Sequence, residues 1–159
     1  DPDQIWRKFR FGETVEMFVL DCRGERKPST RGSDNAEYLS REQMDWLKQG
    51  LHASECTFKL ILNTVPIASY PPVFDIEAAD RWEGYPAQRE EILRWIDDGE
   101  ISGVLWVAGD FHMGSTGRVS SSGPGANQAP IRPWRQSILS GAYRNTCRRM
   151  WEVRVGVQN

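Results

Sequence analysis

Asp110 and His112 stand two residues apart, directly after the apolar run Val104-Leu105-Trp106-Val107-Ala108. At that spacing a carboxylate and an imidazole can reach into one cleft across a tight turn, and the pair suits a divalent or trivalent metal of borderline hardness. A chance D-x-H in a loop is the competing reading. The position after an apolar strand weighs toward the metal, because polar groups there face the ligand crevice of an open α/β sheet. Asn63 ends a second apolar run, Leu60-Ile61-Leu62. An amide there is a turn or capping group, or its carbonyl oxygen completes a hard-metal shell. Asp21 and Arg23 follow a third run and share one side of an extended chain. They read as a local ion pair, or as an arginine clamping phosphate oxygens with Asp21 orienting it; Asp21 as a ligand is a further option. Trp82 and Tyr85 lie in a polar loop. Covering the core edge fits them slightly better than walling a substrate pocket.

Other chemistries lack support. The sequence contains no G-x-S-x-G, H-E-x-x-H, G-x-x-x-x-G-K-[ST] or G-x-G-x-x-G. With two histidines, His52 and His112, a His-rich metal site is excluded. Cys22, Cys56 and Cys147 form no zinc-ribbon or C-x-x-C pattern and read as three buried thiols.

Three strands must deliver these groups. Residues 14–20 and 58–65 read as strands, and residues 103–108 as a strand buried on both faces. Two helices connect them. Ser40 and Gln43 match a capping box, and Met44, Leu47 and Leu51 follow at helical spacing, giving a helix over 41–52. Pro86 opens a second helix over 86–98, with Gly99 as its C-cap. The order strand–helix–strand–helix–strand predicts parallel crossovers and an α/β layered domain. Asp21/Arg23, Asn63/Thr64 and Asp110/His112 would then meet beyond the carboxyl ends of the strands. Residues 24–38 and 66–85 read as loops, 114–128 as a flexible loop or turn-rich hairpin, and 151–155 as a last strand.

Composition agrees with one globular domain. The chain has 159 residues, 39% apolar and 26% charged, with a net charge of −2. That balance gives no specific nucleic-acid-binding feature, and no apolar run reaches the ~18 residues of a membrane segment. Charge is uneven: residues 129–159 carry six Arg and one acidic residue, while residues 1–128 carry 14 basic and 21 acidic. The start, Asp1-Pro2-Asp3, has no signal-peptide core, so the chain reads as a fragment or a processed form and gives no address.

Five segments in register resemble the alkaline phosphatase D-like (PhoD-like) metallophosphatases. Phe11-Gly12 with Phe18-Val19-Leu20-Asp21-Cys22-Arg23 resembles F-G…V-L-D-T-R. Leu39 to Leu47 resembles the L-G-x-x-Q-x-x-W-L helix. Leu62-Asn63-Thr64-Val65-Pro66 resembles G-N-Q-V-P. Asp80 to Arg89 resembles D-x-W-D-G-Y-P-A-x-R, and Val107 to His112 resembles T-G-D-[VF]-H. The resemblance implies a metallophosphoesterase-type sandwich, two packed β-sheets flanked by helices. It implies metal-dependent hydrolysis of phosphate mono- or diesters by a metal-activated water, with no nucleophilic side chain. By carry-over, Asp110, His112 and Asn63 would be metal ligands. Arg23, Trp82 and Tyr85 would bind substrate, and Asp21 would support Arg23. Calcium, iron, manganese and zinc all fit such ligands to some degree.

The family's upstream ligand segments, of G-D-x-x-Y-x-D and D-D-H-E type, do not occur. Residues 1–128 are therefore expected to be the C-terminal part of a catalytic domain that needs its upstream part, and 129–159 an atypical Arg-rich tail, whose Trp151 to Gly156 resembles the family's E-V-L-V-G strand. The rival reading is a non-catalytic module that binds a phosphorylated ligand. The family is often exported.

Overall fold

The computed structural model describes residues 4–69, 78–110, 115–119, 121 and 150–154. The elements are β1 (Arg7–Phe11), β2 (Val15–Val19), α1 (Arg41–Ala53), β3 (Phe58–Asn63), α2 (Pro86–Asp98), β4 (Val104–Ala108), β5 (Ser115–Val119) and β6 (Met150–Arg154). The strands form one mixed sheet in the order β1-β2-β3-β4-β6-β5. β2, β3 and β4 are mutually parallel, as the helical connections predict, and β6 runs parallel to β4. β1 and β5 close the two edges antiparallel. The fold is α/β.

Each helix starts where its sequence says. The Ser40 hydroxyl accepts from the Gln43 amide and caps α1. Pro86 occupies the first turn of α2, where its missing N–H costs nothing. Both helices cover one face of the sheet. The register puts Phe18 beside Ile61 and Ile61 beside Trp106 on that face, and all three are fully buried with Met44, Leu47, Leu51, Ile92 and Leu93. Gly50 lets α1 lie close: a Cβ there would stand 2.5 Å from the Phe18 ring. Gly103 sets the start of β4. Its φ is +72°, and a Cβ would collide with the Thr57 carbonyl oxygen, so this position needs glycine.

The opposite face is also apolar. Phe9, Met17, Leu60 and Leu105 form one cross-strand row, and Val19, Leu62 and Val107 another. These side chains are half-buried or, for Phe9, 45% exposed. Burial of β4 on both faces is the sequence expectation; here Val104, Trp106 and Ala108 are buried, and Leu105 and Val107 lie on the open side. A sheet apolar on both faces is built to sit between two layers, consistent with one half of a layered sandwich. Among the described residues, no helix is long and apolar enough to cross a membrane.

The hairpin β1–β2 escapes the sequence reading. Its turn has a signal, Gly12 at φ +59°. Its first strand, Arg-Lys-Phe-Arg-Phe, is exposed at every position and so lacks the inside–outside alternation that marks a half-buried strand. β5 falls within the stretch read as a loop or turn-rich hairpin, and β6 matches the expected last strand to within one residue at each end.

Candidate functional site

The carboxyl ends of β2, β3 and β4 come together as the alternation of strands and helices predicts. Cys22, just past β2, donates its thiol to Asn63 Oδ1 at the end of β3, at 2.8 Å. Arg23 reaches across to Asp110, beyond β4, with Nη2 3.8 Å from the carboxylate. Both side chains of that pair are more than half exposed, 51% and 59%, so the contact is weak and the guanidinium is available to an incoming anion. Asp110 adopts φ +65°, a left-handed conformation that Asp tolerates better than most residues. His112 lies outside the described residues, as do Phe111 and residues 122–149.

Asp21 is buried and acts through the backbone. Its Oδ1 accepts from the Arg23 amide at 3.0 Å and the Gly24 amide at 2.7 Å. This Asx-type turn fixes the direction in which Arg23 leaves the sheet. The carboxylate is thus engaged with its own loop, which fits support of Arg23 and leaves its ion pair with that residue unformed. The Cys22 thiol is pushed up to about 11 by burial, so at neutral pH it is a protonated donor and no thiolate ligand.

Trp82 and Tyr85 are fully buried. Tyr38 lies between them, with ring centroids 4.5 Å from Trp82 and 5.0 Å from Tyr85, and Trp106 meets Trp82 edge-on at 6.3 Å. The loop aromatics therefore belong to the buried core, in line with the core-covering reading that fits them slightly better in the sequence.

Three side chains position the site in roles that the sequence does not announce. Gln43 sends its amide away from the cap and clamps Asp21: Oε1 accepts from the Asp21 N–H at 2.8 Å, and Nε2 donates to its carbonyl at 3.2 Å. Glu25 accepts from Trp6, Ser40 and Gln43. Burial alone would raise its pKa; these three donors overcome burial and hold the carboxyl below its usual range. Gln88 clamps Tyr38 and Leu39. The available signal is a polar residue on the apolar face of an amphipathic helix. Gln43 adjoins Met44 and sits one turn before Leu47; Gln88 sits one turn before Ile92. A polar side chain buried there needs partners.

Asp110 and Asn63 are oxygen donors suited to a hard cation. Asn63 is 6% exposed and its Nδ2 has no hydrogen-bond partner among the described residues. Turning the amide over would give the thiol a donor and place Oδ1 at the unpartnered position. The two fit a metal as part of a shell. Among the described residues, no three His, Cys, Asp or Glu side chains converge to complete one.

The family described as PhoD-like phosphatase matches residues 1–139. Alkaline phosphatase D of Bacillus subtilis (strain 168) is 29% identical over 126 residues, covering 70% of this chain and 22% of that protein. A solved structure titled "Structure of PhoD" superposes with a TM-score of 0.71 at 22% identity, over 96% of this chain and 28% of that one. The chain thus spans between a fifth and three tenths of the length of these relatives.

Proposed function

The chain belongs to the PhoD-like phosphatase family, and from that premise we propose that it supplies the C-terminal part of a site that hydrolyses phosphate mono- or diesters. Residues 1–128 form that part of the catalytic domain, residues 129–159 are an Arg-rich stretch that includes β6, which pairs with β4 in the same sheet, and the upstream part of the domain completes the site. The observation that carries this reading is the convergence of an exposed guanidinium, Arg23, with Asp110 and Asn63 at the ends of three parallel strands. Calcium, iron, manganese or zinc ions, held in part by Asp110, His112 and Asn63, would neutralise the phosphate and activate a water.

The chain's own residues have separate tasks in this reading. Arg23 binds two phosphate oxygens in its planar fork. In the free protein Asp110 draws the guanidinium toward the strand ends. Asp21 holds the Arg23 backbone. Trp82 and Tyr85, assigned to substrate binding by the resemblance, would act from behind the pocket wall.

The test uses the complete protein. Arg23→Ala is expected to lower kcat/KM for a phosphate ester roughly 10- to 100-fold, the worth of a hydrogen bond to a charged group, with bound metal unchanged by elemental analysis. An unaltered kcat/KM would count against the clamp. Asp110→Asn is expected to remove most of the bound metal, and undiminished metal content would sink that ligand assignment. A second reading is a module that binds phosphorylated ligands without cleaving them. The exposed Arg23 guanidinium can hold a phosphate without a metal, and that observation favours this reading for the isolated chain. Phosphate binding by the chain, with no turnover even when metal is supplied, would select it.

A further inference from the structure

Arg23 stands on a loop that is itself locked from below. Gln43 is fully buried at the start of α1. Its amide makes three hydrogen bonds: from Asp21 N–H at 2.8 Å, to the Asp21 carbonyl at 3.2 Å, and to Glu25 Oε2 at 2.7 Å. Glu25 receives two further donors, Trp6 Nε1 at 2.8 Å and Ser40 Oγ at 2.5 Å. The two ends of the loop, Asp21 and Glu25, are thus tied to one glutamine, and Arg23 lies midway between them.

We infer that Gln43 and Glu25 are positioning residues for phosphate recognition, forming a lock that holds the Asp21–Glu25 loop so that Arg23 projects beyond the strand ends. The inference rests on the reading of Arg23 as the phosphate contact. It follows from the economy of the geometry. Arg23 is half exposed and, among the described residues, its side chain makes one long ion pair, so those contacts do not fix it. Without the lock the loop would sample many directions, and binding an anion would carry the cost of ordering it. An amide is the required group at position 43, because the lock needs an acceptor for Asp21 N–H and donors for both Asp21 O and the Glu25 carboxylate. A carboxylate there would set two acceptors against Glu25.

The test measures inorganic phosphate affinity of the 159-residue chain by calorimetry, together with amide hydrogen exchange. Gln43→Glu is expected to weaken phosphate binding about tenfold, the scale of one charge-assisted contact. Adding Glu25→Gln restores the donor–acceptor pair between positions 43 and 25, while the Asp21 carbonyl stays without its donor, and is expected to recover part of the lost affinity, a rescue that a double-mutant cycle quantifies. In an Arg23→Ala background, Gln43→Glu is expected to have no further effect. The Arg23 and Gly24 amides are expected to exchange at least about tenfold faster in Gln43→Glu, while Ile61 in β3 keeps its protection. Should Gln43→Glu fold poorly, Glu25→Ala alone provides the same comparison, since it removes the shared acceptor outside the helix. If Arg23→Ala weakens phosphate binding and Gln43→Glu changes neither affinity nor local exchange, the lock is wrong and the Arg23 reading stands. Acceleration spread evenly over the sheet, or no rescue in the double variant, also overturns it. If Arg23→Ala leaves affinity unchanged, the Arg23 reading fails and takes the positioning role with it, whatever the exchange data show about the loop.

Discussion

Trp82→Ala is expected to destabilise the chain by about 3–5 kcal/mol, the range for truncating a large buried aromatic. The indole has no accessible surface and is held between the Tyr38 ring and the edge of Trp106. Truncation would open a cavity bounded by both rings. The surrounding turn has little room to collapse into it: Trp82 begins a three-residue 3-10 turn ending at Gly84, where even one added Cβ would strike the Ala79 carbonyl. Urea denaturation checks the figure, and a loss below about 1 kcal/mol would mean that the site relaxes freely. The result bears on function as well. A pocket wall at Trp82 predicts a changed preference among esters with stability kept. A core tryptophan predicts lost stability, with any change in ester preference following from it. Trp82→Phe separates the two, since it restores most of the packing and removes the indole N–H, an atom with no partner among the described residues.

The ambiguity over Trp82 shows which parts of the fold were legible in the residues. β2, β3 and β4 each carry one covered face, and their apolar runs stand out against polar loops; α1 and α2 carry capping and periodicity signals within their own segments. Elements that announce themselves locally were read to within a residue or two. The convergence of three strand ends followed from topology, because parallel crossovers leave few arrangements. What could not be read depends on contacts distant in sequence. Asp21 meets Gln43 across 22 positions, and Tyr38 meets Gln88 across 50. Nothing in the run from Trp82 to Tyr85 states which side of the loop faces inward, so covering and lining roles look alike. The edge strand β1 was missed for the opposite reason: its register is fixed by β2 while its side chains are all exposed, and hydrophobic pattern has nothing to report there.

Gln88 is the second position where a large effect is expected. Its Oε1 accepts from the Tyr38 amide at 2.7 Å and the Leu39 amide at 2.8 Å, and its Nε2 donates to the Leu39 carbonyl at 2.8 Å. Gln88 is 1% exposed, and Tyr38 and Leu39 are fully buried. Gln88→Met keeps the volume and removes all three bonds, leaving two N–H groups and one carbonyl without water or partner. At roughly 1–3 kcal/mol for each buried group left unsatisfied, and with incomplete additivity, the expected loss is about 3–5 kcal/mol. Thermal or urea unfolding measures it. A loss under about 1 kcal/mol would require the 38–39 backbone to find other partners, and faster amide exchange confined to those two residues would reveal that. The consequence should reach the site by a defined route. Leu39 precedes Ser40, which caps α1 and donates to Glu25, and α1 carries Gln43. Gln88→Met is therefore expected to loosen the Arg23 loop in addition to destabilising the fold, whereas Trp82→Ala at equal cost in stability should leave the Arg23 and Gly24 amides as protected as the rest of the sheet. Comparing the two variants at matched stability separates loss of folding free energy from loss of the hydrogen-bonded path between α2 and the strand ends.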